Sequence, residues 1–200
     1  GIQTKDPSFG LDALWIDPAH RDVAQTAGYT VVDSSTVIAT HLSQILKNNA
    51  AKLVGQDDVQ QLLDRLKINS PKLVENLIPS VMSLADVTRV IHNLLEEGVP
   101  IRDMKTIAET LSLQRSVDKS PDDMTAQVRV ALGASIFQNV AGPAIELPVM
   151  VLDPQLEQIM SSAVHSNGGV IEVNLVDTVI TGIGEATGKM EAEGASPVLL

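Results

Sequence analysis

Apolar residues recur every three to four positions through most of the chain, and this spacing predicts a mainly helical protein. The helical pattern is continuous from residue 34 to about residue 114. Its first segment ends at Gly55 and carries the apolar positions Val37, Ile38, Leu42, Ile45, Leu46 and Leu53. Four amphipathic segments follow, each opened by an N-cap type residue or a first-turn proline: DDVQQLLDRL, SPKLVENLI, SLADVTRVIHNLLEEG and PIRDMKTIAETL. Together they predict a helical bundle.

Both ends of the chain depart from this pattern and predict small α/β parts. Near the start, the β-formers of LDALWI and YTVV flank a short helical segment, DPAHRDVAQTAG, which predicts a strand-helix-strand unit. Such a unit is too small to fold alone, so we interpret it as the end of a domain that begins earlier. Near the other end, AIELPVMVLD predicts a strand, with Pro148 at an edge or bulge, and SPVLL is strand-like.

The last third of the chain also contains helical patterns. SPDDMTAQVRVALGASIF predicts one long helix, and DPQLEQIMSSAV and VNLVDTVITGIGEATGKMEAE predict two more, separated by HSNGG. The fold class is therefore mainly α with small α/β parts. We divide it into a remnant at 1–33, a helical subdomain at 34–117 and a partial α/β subdomain at 118–200.

Composition removes several classes of function. The chain contains no cysteine, which excludes disulfides, thiol nucleophiles and cysteine-ligated metals. Its 25 acidic residues against 14 basic ones give a net charge of -11, which opposes contact with nucleic acid or anionic lipid. No apolar run reaches the roughly 18 to 20 residues that a membrane-spanning helix needs.

Chemical motifs are weak. In VVDSSTVIATH, Asp33 is placed to cap a helix, although a serine hydrolase using Ser35 and His41 remains as an alternative from another class. The four histidines show no metal-ligand spacing, and GIGEATGKM has the wrong glycine spacing for a phosphate loop. We therefore predict no catalytic residue, no metal and no cofactor.

Longer stretches carry a specific resemblance. The segment from FGLDALWI through GYTVVDSSTVIATHL to DDVQQLLDRL, followed by PKLVENLIP, VIHNLLEEGVPIRDMKTIAETL and MTAQVRVALG, resembles the cytoplasmic region of the flagellar branch of the FHIPEP family. These are inner-membrane export gates of type III secretion. The resemblance implies a membrane-embedded half, a linker and four cytoplasmic subdomains that form a nine-membered ring. This chain would hold the end of the first subdomain, the helical third and the opening of the fourth.

The resemblance also implies partners and a site. The expected partners are flagellar export chaperones with their cargo, the export ATPase complex and other gate membrane proteins, met at the cytoplasmic face of the inner membrane. An equivalent gate of a virulence secretion system is the alternative within the family. Matching the VVDSSTVIATH motif places Val32, Val37 and Thr40 on one wall of an apolar chaperone-docking depression.

Helical geometry bears on this wall. At 100° per residue, Val37, Thr40 and Gln44 form a stripe roughly opposite four apolar residues: Ile38, Leu42, Ile45 and Leu46. We expect the second group to enter the core, which leaves the first free for a partner. In the alternative interpretation, Val37 and Thr40 pack against the LDALWI segment.

Overall fold

The chain begins with a β-hairpin. In this computed structural model, which describes residues 1–113, 120–165 and 173–200, strand β1 (Ile2–Lys5) pairs antiparallel with β2 (Asp12–Trp15). Ile2 lies opposite Trp15 and Lys5 opposite Asp12. The Asp6 carboxylate orders the connecting loop by accepting hydrogen bonds from the Ser8 and Phe9 backbone N–H groups, at 2.9 and 2.7 Å. The predicted LDALWI strand is thus confirmed.

A short helical segment follows the hairpin. A 3-10 turn (Pro18–His20) leads into helix α1 (Arg21–Thr26), and Asp17 accepts a hydrogen bond from Ala19 N at 2.8 Å at its start. The predicted YTVV strand is wrong, because residues 29–32 form no strand. The partner of β2 is β1, reached through a tight loop, so this part is a hairpin with a helix and not a strand-helix-strand unit.

Two helices then run in series. Helix α2 (Ser34–Asn48) and helix α3 (Ala50–Leu53) are separated by Asn49, whose φ of -116° and ψ of 15° leave the helical region. The predicted stop at Gly55 is confirmed, since α3 ends just before it.

The hydrophobic core lies in the next five helices: α4 (Gln56–Asn69), α5 (Pro71–Leu77), α6 (Leu84–Glu96), α7 (Met104–Ser112) and α8 (Pro121–Ala131). Helix α6 packs against α3, α4 and α8, while α7 packs against α5 and α8. Their fully buried side chains are Val59, Leu63, Leu77, Val87, Val90, Ile91, Leu94, Ile107, Leu111 and Val128. The predicted helical bundle is confirmed.

Local capping explains where these helices begin. At α6, Ser83 Oγ accepts a hydrogen bond from Asp86 N at 3.2 Å, while the Asp86 carboxylate accepts one from Ser83 N at 3.3 Å. Ser120 and Asp123 form the same reciprocal pair at α8. Each pair satisfies two N–H groups that a helix start leaves without an intrahelical acceptor.

Three more helices complete the described chain: α9 (Gly133–Ala141), α10 (Pro154–His165) and α11 (Val173–Ala192). The single long helix predicted for this region is wrong, since it is split into α8 and α9. The break is at Leu132, where φ of -85° and ψ of 5° end α8 directly before Gly133. The predicted HSNGG linker lies outside the described residues apart from His165.

The predicted AIELPVMVLD strand is reduced to one parallel bridge between Met150 and Leu199. Met150 N donates to Val198 O at 2.7 Å, and Leu200 N donates to Met150 O at 2.9 Å. A regular strand through this segment is opposed by Pro148, which has no N–H to donate. The strand-like SPVLL end is the partner in this bridge.

Two compact units make up the described chain, Gly1–Asn139 and Val140–Leu200. Helix α8 belongs to the first, because Val128 and Leu132 share the core of α4 to α7. The boundary predicted at 117/118 falls among residues 114–119, which the structure does not describe, and the three-part division stays a prediction. Among the helices described, none combines the length and apolarity needed to span a membrane.

Candidate docking surface

The surface predicted from the VVDSSTVIATH motif is built on the start of α2. Asp33 is the N-cap, with φ of -81° and ψ of 162°, and its carboxylate accepts a hydrogen bond from Thr36 N at 2.7 Å. The Ser35 hydroxyl donates to the same Asp33 oxygen at 2.6 Å. These hydrogen bonds lower the pKa of Asp33 from its ordinary 3.8 to about 2, and the bond from the Ser35 hydroxyl has a larger effect than the bond from Thr36 N. The carboxylate is therefore held ionised as a cap.

The same contacts bear on the hydrolase alternative. Ser35 and His41 are six residues apart on one helix, which separates them by about 9 Å along its axis. A general base must lie within about 3.2 Å of the hydroxyl it activates. The structure does not bring this pair together, and the Ser35 hydroxyl bonds Asp33 instead. Among the described residues there is also no cluster of three or more acidic or histidine side chains suited to a metal.

The two faces of α2 do not have the expected burial. Ile38 is 67% exposed and Leu42 54%, and Ile45 and Leu46 are also exposed. The expectation that this stripe enters the core is wrong, because the core lies in α4 to α8 and α2 has no extensive contact with another described helix or strand. An amphipathic pattern identifies the apolar face of a helix but not the element that covers it.

The predicted wall residues are brought to neighbouring positions. Val37 and Thr40 are three residues apart on one face of α2, and both are half-buried, as are His41 and Gln44 beside them. Val32 lies just before the Asp33 cap and is exposed. The role of these three residues as a docking wall stays a prediction, as does the alternative that Val37 and Thr40 pack on the LDALWI segment.

One contact at the end of α3 gave no signal in the sequence. Nε2 of His92, on α6, lies 2.6 Å from the carbonyl oxygen of Val54, which directly follows α3. The two residues are 38 positions apart. The spacing of the histidines along the chain does not indicate a partner so far away in sequence, so His92 could not be predicted as a contact between the α2–α3 segment and the bundle.

A polar groove of about 270 Å³ lies between α6 and α8. Its polar side chains largely satisfy one another: Asn93 Nδ2 donates to Asp122 at 3.0 Å and to Thr125 Oγ1 at 3.1 Å. Arg129 donates to Glu97 at 3.2 Å on the same lining. These contacts fasten α8 to α6, so we interpret the groove as a structural joint.

Fold and surface together define a mainly α-helical protein that exposes apolar side chains along a whole helix beside its core. The chain matches the FHIPEP family over residues 1–200. It is 46% identical to the flagellar biosynthesis protein FlhA of Escherichia coli and 45% identical to that of Salmonella typhimurium, over 200 residues in each case. The chain belongs to the FHIPEP family, and the resemblance seen in its sequence is confirmed.

Solved structures share the fold. The Chlamydia pneumoniae CdsV protein superposes with a TM-score of 0.76 at 21% identity, over 88% of this chain and 52% of CdsV. CdsV in a complex with CdsO gives 0.72 at 22% identity, over 92% and 55%. Nonameric EPEC SctV-C gives 0.69 at 20% identity, over 91% and 63%. The chain spans 29% of the length of the two flagellar relatives.

Proposed function

We propose that this chain is part of the cytoplasmic docking platform of a flagellar type III protein export gate. The platform binds export chaperones with their cargo and components of the export ATPase complex, at the cytoplasmic face of the bacterial inner membrane. The observation that carries the proposal is membership of the FHIPEP family over the whole chain, with 46% identity to a flagellar biosynthesis protein.

Identity favours the flagellar branch over the equivalent gate of a virulence system. The two relatives that carry the flagellar name are 45 and 46% identical to this chain. The three solved structures, none of which carries that name, are 20 to 22% identical. Deleting the gene tests this choice: the deletion strain should lose motility, and normal swimming would contradict a flagellar role.

Ring formation and an ATPase-complex partner belong to the same proposal. SctV-C, which shares this fold, is nonameric, and CdsV, which also shares it, forms a complex with CdsO. These properties are known of those proteins. We extend them to this chain on the fold, which supports a homo-oligomeric ring and a docked partner.

Chaperone docking is assigned to the face of α2 that contains Val37 and Thr40, together with Val32 before the cap. Burial supports this in one respect: Val32 is exposed and the other two are half-buried, so part of each side chain is accessible to a partner. Interfaces depend on a few central contacts, and enlarging a small residue among them displaces the partner's anchor. Thr40 is about the size of valine and is the only one of the three that carries a hydroxyl, so leucine at this position adds bulk and removes the polar group.

The test is Thr40→Leu in the complete protein, with binding of a chaperone-cargo complex measured by calorimetry. We expect affinity to fall by about 5- to 150-fold, the equivalent of about 1–3 kcal/mol at an interface centre. Ala39→Leu is the matched control, since it enlarges an exposed small residue turned about 100° away on the same helix. Equal affinities for the wild type and Thr40→Leu would remove Thr40 from the docking wall.

A further inference from the structure

We infer that the hydrogen bond between His92 and the Val54 carbonyl sets the orientation of helix α2 relative to the helical bundle. His92 is thus a positioning residue. It acts on α2 through α3, and its hydrogen bond is not made to α2 itself. The inference concerns the geometry of α2 and goes beyond the proposed docking function, so it can succeed or fail independently of chaperone binding.

The first step is that α3 anchors the α2–α3 segment to the bundle, and we call α3 the root of α2. Helix α3 packs on α6, its residue Ala51 is buried, and Val54 lies against the main hydrophobic cluster. The His92 contact adds a directional constraint to this packing. Since a carbonyl oxygen can only accept a hydrogen bond, Nε2 carries the proton, and the 2.6 Å separation makes this a short bond between two half-buried groups.

The second step is that α2 has weaker constraints of its own. None of its fifteen residues is fully buried by the described part of the chain, and four are half-buried: Val37, Thr40, His41 and Gln44. The other side-chain hydrogen bonds of α2 and α3 within that part stay local: Ser35 to Asp33, Gln44 to Asn48, Asn49 to Ile45 and Lys52 to Asn49. Within the described part of the chain, the direction of α2 therefore depends mainly on α3.

The third step is the joint between them. At Asn49 the backbone leaves helical geometry, while the Asn49 side chain donates to Ile45 O at 2.9 Å and so ties the joint to α2. Fifteen residues at 1.5 Å each make α2 about 22 Å long. A tilt of about 10° at Asn49 would displace the start of α2 by about 4 Å on this length. A small change at the root is thus amplified at the other end of the helix.

Distance measurement between spin labels tests this directly. We would label Ser34→Cys at the start of α2 and Arg65→Cys on α4 in the complete protein, diluted with unlabelled protein. The control pair, Arg65→Cys and Glu96→Cys, lies within the bundle on α4 and α6. The 200 residues contain no cysteine that would compete for the label.

Three substitutions separate the hydrogen bond from simple packing. His92→Leu removes the donor, His92→Gln keeps an amide near the position of Nε2, and His92→Asn places its amide nearer that of Nδ1. We expect the Leu and Asn variants to broaden or shift the distance between the labels at positions 34 and 65, by about 4 Å for a tilt of about 10°. The Gln variant should retain the wild-type distance, and the control pair should not change.

Three results would overturn the inference. An unchanged distribution for His92→Leu would mean that α2 is oriented without this bond. A change in the control pair as well would mean that His92 supports the bundle as a whole. Failure of His92→Gln to restore the distance would assign the effect to ring packing and not to the donated hydrogen bond.

Discussion

Leu94→Ala and Leu42→Ala are the same substitution in two helices with opposite burial. Leu94 on α6 is 0% exposed and belongs to the main hydrophobic cluster, whereas Leu42 on α2 is 54% exposed. Both leucines lie on the apolar stripe of their helix, and the sequence alone predicts burial for both. The structure predicts that only one of the two substitutions is costly.

The magnitudes follow from the burial. Replacing a fully buried leucine by alanine removes three carbons, worth about 2.4 kcal/mol at about 0.8 kcal/mol each. The cavity left behind raises this to about 2.7–5 kcal/mol. Leu42 is less than half buried, so the same transfer term is at most about 1 kcal/mol, with no closed cavity to add. Alanine's slightly better helix propensity reduces that cost further.

Urea unfolding followed by far-UV circular dichroism measures both variants against the wild type. We expect the midpoint to fall strongly for Leu94→Ala and little for Leu42→Ala, with similar slopes, so that midpoint shifts can be compared as free energies. Equal losses would refute the reasoning, because they would show that α2 is packed into the cooperative core through the face that contains Leu42.

Two further predictions concern hydrogen bonds. The Ser35 hydroxyl and Thr36 N lower the pKa of Asp33 to about 2. The contribution of Asp33 to stability is therefore present above pH 3.8, its ordinary pKa, and is lost as the pH falls towards 2. Asp33→Asn should flatten that part of the acid titration of stability, and an unchanged titration would contradict it. Thr125→Val should destabilise the chain by about 1–2 kcal/mol, because the buried Thr125 hydroxyl donates to Pro121 O and accepts from Asn93. Thr181→Val is the control in urea unfolding, since it removes a similar bond, to Asp177 O, on an exposed surface; equal losses would show that burial does not set the cost.

Local signals explain why the helices could be predicted from sequence. Ser83 and Ser120 each make their capping hydrogen bonds with a residue three positions further along the chain, so both partners can be seen in one short stretch of sequence. The apolar stripes of α4 to α8 were also correct, because these helices cover one another. Every one of these features depends on neighbours in sequence or on a pattern that repeats within one helix.

Non-local pairing explains the failures. Residues 29–32 have strand-forming side chains, but a strand needs a partner, and β2 pairs with β1. The stripe containing Ile38 and Leu42 is apolar as predicted, yet no described helix covers it. The contact of His92 with Val54 spans 38 residues and leaves no trace in local spacing. Sequence specified each helix more completely than it specified what each helix touches.

These properties of α2 have a joint consequence for binding. A helix of about 12–15 residues is marginal in water when its apolar face is not covered. In this chain α2 is stabilised by the Asp33 cap at its N-terminal end and by α3, which packs on α6, at its C-terminal end. A partner that binds the folded helix and not the unfolded segment stabilises it by mass action. Because α2 also inherits its direction from α3, a partner that holds α2 in another direction must act against the His92 bond. Chaperone affinity and the strength of that bond would then be linked, although His92 lies outside the proposed docking wall.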